Sequence, residues 1–145
     1  MKRTPGLIAL TFVLTVALAA CSSGPSPAAM SAWQTGKGGK YLVKVTQYLS
    51  TGNHAVISGD TQVANGAGIF LGGLAMIAAG EPPPADGGAY KQEMAYLKAY
   101  GNAPMTVKAD SDLSQLRGPV GKAQAVIDQH KGDWWAQKLN DAMKV

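Results

Sequence analysis

The chain has 145 residues, with 13 lysines and arginines against 9 aspartates and glutamates, and a single cysteine. Its basic residues are scattered singly, which argues against the clustered basic face of a nucleic-acid-binding protein, and one cysteine excludes an internal disulfide. Aromatic residues make up 7% while glycine occurs 18 times, a balance that favours closely packed helices over a β-sandwich.

The N-terminus begins Met1-Lys2-Arg3 and continues as an apolar run from Gly6 to Ala20, broken only by Thr11 and Thr15. A basic start, a short apolar core and small residues at its end make a secretory signal. Fifteen residues are too few for a comfortable permanent span, which needs about 20, so residues 1–20 are expected to be removed. Leu18-Ala19-Ala20-Cys21 followed by Ser22-Ser23-Gly24 resembles the lipobox of bacterial lipoproteins. The resemblance covers the first 23 residues and says nothing of the rest. It implies cleavage between Ala20 and Cys21, a thioether-linked diacylglycerol on Cys21 and acylation of the new amine. It also implies a cell-envelope location, and Ser22 after the cysteine points to the outer membrane, facing the periplasm, in a cell with two membranes. Loss of Lys2 and Arg3 leaves 11 basic against 9 acidic residues, so most of the net charge belongs to the signal.

The remaining 125 residues suffice for one modest core. Residues 21–39 comprise Cys21 and a stretch rich in Ser, Pro, Gly and Ala, which reads as a flexible tether with Trp33 as its odd member. A single domain is expected over 40–145. Tyr41, Leu42, Val45, Tyr48 and Leu49 follow a helical period, although the β-branched and aromatic character of 41–46 also suits a strand; helix is slightly favoured. Ser50-Thr51-Gly52-Asn53 is expected to end that element. His54 to Ser58 reads as a short strand before a turn at Ser58-Gly59-Asp60.

Residues 63–80 form the unusual segment, because no polar side chain occurs from Gly66 to Gly80. On a helix, Gly68, Gly72, Ala75 and Ala79 lie within about 60° of one another. They form a smooth seam on a cylinder otherwise covered by Ile69, Phe70, Leu71, Leu74, Met76 and Ile77. Such seams let helix backbones approach closely. Three roles suit it: a core helix, a membrane-inserted or interfacial helix about 27 Å long, or a surface for self-association or a partner helix. The segment distantly resembles the glycine-zipper stretches of some envelope lipoproteins.

Glu81-Pro82-Pro83-Pro84 stops the segment, and Asp86-Gly87-Gly88 permits a turn. Ala89 to Tyr100 reads as a helix with Tyr90, Met94, Leu97 and Tyr96 inward, Lys91, Glu93 and Lys98 outward, and Gly101-Asn102 as its cap. Met105 to Lys108 suits a short extended piece, and Asp110 or Ser111 would cap a helix through Leu113 and Leu116. Pro119 suits the first turn of another helix, which presents Val120, Ala123 and Ile127. Asp133 would cap a last helix carrying Trp135, Leu139 and Met143 on one face. The fold expected is small and mainly α, with one or two short strands at most.

Catalytic signals are poor. His54 and His130 sit in no metal-spacing motif, and the chain has no Gly-x-Ser-x-Gly elbow. Gly36-Lys37-Gly38-Gly39-Lys40 lacks the spacing of a phosphate loop, leaving its glycines a role in flexibility. Asp110 and Asp112 suit helix capping. Trp134-Trp135 is the best candidate for a partner patch, since neighbours on a helix point about 100° apart and both cannot face one core. The expectation is a non-enzymatic envelope lipoprotein without cofactor or metal, held by its lipid anchor and binding or scaffolding an envelope protein. The alternatives are a membrane-inserting or self-associating lipoprotein built on 63–80, and a binding or inhibitory module of the immunity or pilot type.

Overall fold

The computed structural model describes residues 24–103 and 117–144. Among these residues it contains six helices and no strand: α1 (Pro27–Thr35), α2 (Lys37–Ser58), α3 (Thr61–Ala79), α4 (Gly87–Asn102), α5 (Arg117–Gln129) and α6 (Trp134–Met143). Residues 1–20, expected to be a signal, Cys21, the Met105–Lys108 stretch and Asp110 to Leu116 lie outside the described residues.

Helix α1 occupies much of the expected tether. Ser26 caps it, its side chain accepting from the Ala29 N–H at 3.2 Å, and Pro27 stands at the first helical position, where its missing donor costs nothing. The chain then bends at Gly36, which ends α1 and begins α2. The bend is tight: Gly38 and Gly39 are buried, with the Trp33 ring against Gly38 and the Gln34 backbone against Gly39. These glycines serve close packing, which corrects their assignment to a flexible leash, and the folded body begins at 27 instead of 40.

Helix α2 is 22 residues long and runs straight through Ser50-Thr51-Gly52-Asn53 and the expected strand at 54–58. Tertiary contacts override the local turn signals. Gly52 is buried with the Ala67 Cβ 3.7 Å from where its own would stand. Buried Asn53 accepts from Tyr100 Oη at 2.7 Å and donates to the Ala142 carbonyl at 3.4 Å. The helix stops at Gly59, which has the left-handed conformation of a C-terminal cap (φ 76°). Asp60 then caps α3 by accepting from the Val63 N–H at 3.0 Å.

Helices α2, α3 and α4 pack in sequence with α3 between the other two, and α5 and α6 close the body by packing on α4 and α2 respectively. The core is built from Leu42, Val45, Leu49 and Val56 of α2, Leu71 and Ala75 of α3, Tyr90, Met94, Leu97 and Tyr100 of α4, and Ile127, Trp135 and Leu139 of the last two helices. Glu93, expected outside, is fully buried. Because α4 is covered by α3 on one side and α5 on the other, its buried arc is wider than the apolar stripe that its sequence marks, and Glu93, three residues from Tyr90, falls within it. Helix α4 also continues through Gly101-Asn102, with Ala103 as its cap.

Candidate functional surface

Helix α3 is the one helix among the described residues long and apolar enough to cross a membrane. Its small side faces inward. Gly68, Gly72 and Ala75 are buried, and Ala79 is half-buried. The crossing with α4 is so close that a Cβ on Gly101 would strike the Gly68 carbonyl oxygen and stand 2.9 Å from the Gly72 nitrogen. The seam therefore seats α3 on α4, with Gly101 as its partner, while Gly52 receives α3 on the α2 side.

Seating the small side turns the bulky side out. Ile69 is 70% exposed, Phe70 59% and Met76 58%, with Ile77 and Val63 close to half exposed. At about 100° per residue these five, with Gln62, Asn65, Gly66 and Gly73, sweep one arc of about 160°. The result is a continuous apolar strip along the outer face, on the order of 500 Å² and near the upper end for the largest patch on a monomer.

The rims of the strip carry aromatic and basic side chains. On the α2 side, the Tyr48 ring stacks on Phe70 with centroids 5.1 Å apart. Lys37, Tyr41, Lys44 and Tyr48 follow one another at i, i+4, i+7 and i+11, a single stripe on α2. Lys37, Lys40, Tyr41 and Lys44 line an open groove where α1 meets α2. On the α4 side, Lys98 Nζ reaches Met76 Sδ at 3.9 Å. Among the described residues, the acidic groups beside this face stand at the ends of α3, where Asp60 is engaged as the N-cap and Glu81 follows the C-terminus.

The tandem tryptophans do not form an open pair. Trp135 is buried in the core, edge-on to Tyr90 at 5.6 Å. Trp134 is half-buried, edge-on to Trp33 at 5.9 Å and overlain by Lys138 Nζ 5.6 Å from its centroid. Trp33 also meets Tyr90 edge-on at 5.7 Å and donates its indole N–H to the Glu81 carbonyl at 2.8 Å. The segment expected to be a tether thus supplies the ring that covers Trp134.

One polar corner gathers residues distant in sequence. His130 Nδ1 lies 3.1 Å from Asp133 Oδ2 and 3.8 Å from Asp86 Oδ2. Asp133 and Asp86 precede α6 and α4 but make no side-chain cap bond; both carboxylates are turned to the imidazole. Asp86 has φ 56°, a left-handed conformation that aspartate tolerates better than most residues. One donor atom from each side chain falls within a 4.8 Å circle. These contacts join the α3–α4 loop to the α5–α6 turn. His54 lies apart on the exposed side of α2, within 2.9 Å of the Ser50 carbonyl.

A second cluster is buried. Among the described residues, Tyr90 Oη, both Glu93 carboxylate oxygens and Trp135 Nε1 find no hydrogen-bond partner. Burial pushes the Glu93 carboxyl up to about 8, which keeps it protonated at neutral pH, and burial likewise raises the Tyr90 hydroxyl and pushes Tyr100 up to about 12. No family model, curated protein or solved structure matches the chain.

Proposed function

We propose that the protein is a non-enzymatic lipoprotein of the bacterial envelope, in which a lipid on Cys21 holds a small helical body that presents the outer face of α3 for binding or scaffolding. The observation that carries this reading is the Leu18-Ala19-Ala20-Cys21 motif placed directly ahead of a folded body. Only Ser22 to Ser26 separate the cysteine from α1, a reach of at most about 17 Å. The anchor supplies about 0.8 kcal/mol for each buried methylene, and stable attachment takes more than one chain, which a diacylglycerol with an added N-acyl group provides. Ser22 after the cysteine favours the periplasmic side of an outer membrane where the cell has one.

The test is metabolic labelling with a clickable fatty acid. Wild type is expected to take the label and run as the mature form, whereas Cys21→Ser takes none and accumulates as the uncleaved precursor. Label retained in Cys21→Ser would overturn the proposal.

A further inference from the structure

Taking the lipid anchor on Cys21 as its starting point, we infer that the outer face of α3 rests on the surface of that same bilayer, as a second, non-covalent contact that fixes the orientation of the body. Three observations converge on a lipid surface as the occupant.

The first is reach. Trp33, near the end of α1, is bonded to the Glu81 carbonyl just beyond α3. From Cys21 to Trp33 the chain spans at most about 28 Å, extended residues followed by helix. The anchored cysteine is therefore tied to the end of α3 that carries Met76 and Ile77. The strip can lie down on lipid without any part of the chain being stretched.

The second is charge. Lysines stand on both rims, Lys37 and Lys44 on α2 and Lys98 on α4, while the acidic groups beside this face among the described residues stand at the ends of α3. Anionic headgroups attract such a rim. Tyr41 and Tyr48 are amphipathic rings suited to the headgroup layer.

The third is area. A stable dimer buries about 800 Å² per partner, more than the strip supplies. A bilayer does not meet that difficulty. An interfacial helix sinks only about 5–10 Å, the depth of its side chains, so α3 keeps its buried seam against α2 and α4.

The test uses the native lipidated chain carrying Ile69→Cys, reconstituted in vesicles of phosphatidylethanolamine and phosphatidylglycerol. With Cys21 in thioether linkage, position 69 is the one thiol open to a nitroxide label. Ala125→Cys, exposed on α5, is the control. Collision with oxygen, which concentrates in lipid, is compared with collision with a water-soluble nickel chelate. The oxygen-to-chelate ratio is expected to be about fivefold or more higher at 69 than at 125, as an interfacial depth requires. Equal ratios would overturn the inference, as would a label shielded from both reagents and broadened by a neighbouring label, the signature of a second copy. Mass analysis of the same sample separates the two proposals: a bare thiol at Cys21 removes the anchor and this inference with it, whereas a lipidated Cys21 with a water-exposed position 69 removes only the inference.

Discussion

Glu93 is the residue with the largest thermodynamic consequence. A carboxyl ordinarily titrates near 4.5, and burial moves this one to about 8. The unfolded chain therefore releases the proton from about pH 4.5 upward, while the folded chain holds it until about pH 8. Between these values the folded state binds more protons, so stability falls as pH rises and levels off on either side. The loss expected between pH 5 and pH 8.5 is about 4 kcal/mol, readable as a falling urea midpoint. Glu93→Gln should flatten that profile and raise stability at pH 8.5. A wild-type profile that is already flat would mean that the carboxylate is compensated inside the core. Asn53 works in the opposite sense, because it joins α4 and α6 through α2. Asn53→Ala leaves the buried Tyr100 hydroxyl without its acceptor and should cost about 2–3 kcal/mol in chemical denaturation, while Asn53→Asp should not restore the bond to Ala142.

At the scale of the helix, glycines with identical local propensity separate by what surrounds them. Nothing lies within 4 Å of a Cβ built on Gly73, on the outer face of α3. Gly73→Ala should therefore raise the melting temperature, with a gain of about 0.5–1 kcal/mol from helix propensity alone. Gly101→Ala drives a methyl into the Gly68 and Gly72 backbone and should cost about 1–3 kcal/mol through the forced separation of α3 and α4. Calorimetry of the two variants should give shifts of opposite sign. The small-residue seam of α3 was legible from its period, as were the turn at Gly59, the proline stop after α3 and the inward set Tyr90, Met94 and Leu97. What the period could not tell was which side of an all-apolar helix would be covered. That depended on the glycines at 52 and 101, residues that read as turn and cap signals in isolation. The same ambiguity hid the length of α2, where Gly52 and Asn53 mark a helix crossing instead of an end.

At the scale of the whole molecule, the decisive feature is that the folded body begins within the segment expected to be a leash. Composition alone marked 21–39 as flexible, because Gly, Pro and Ser are common to linkers and to tight helical bends. The discriminating signal was Trp33, a large ring that a solvated leash has no use for. Helix α1 brings that ring between Tyr90 and Trp134 and spends its indole N–H on Glu81, so it closes the end of the body where α2, α4 and α6 meet. Trp33→Ala should cost about 2–4 kcal/mol, combining lost aromatic contacts with an incompletely collapsed gap. A chain beginning at Lys40 should lose more than that substitution, since it also strips the cover from Gly38 and Gly39 and uncovers Trp134, whereas a chain beginning at Ser22 should melt with the mature body. If instead the chains beginning at Ser22 and at Lys40 unfold at the same temperature, α1 contributes nothing to the body and the leash is long again. On the proposed lipid anchor, Cys21 would then swing free of α3, so this single melting comparison also bears on the proposal that the outer face of α3 is held to lipid.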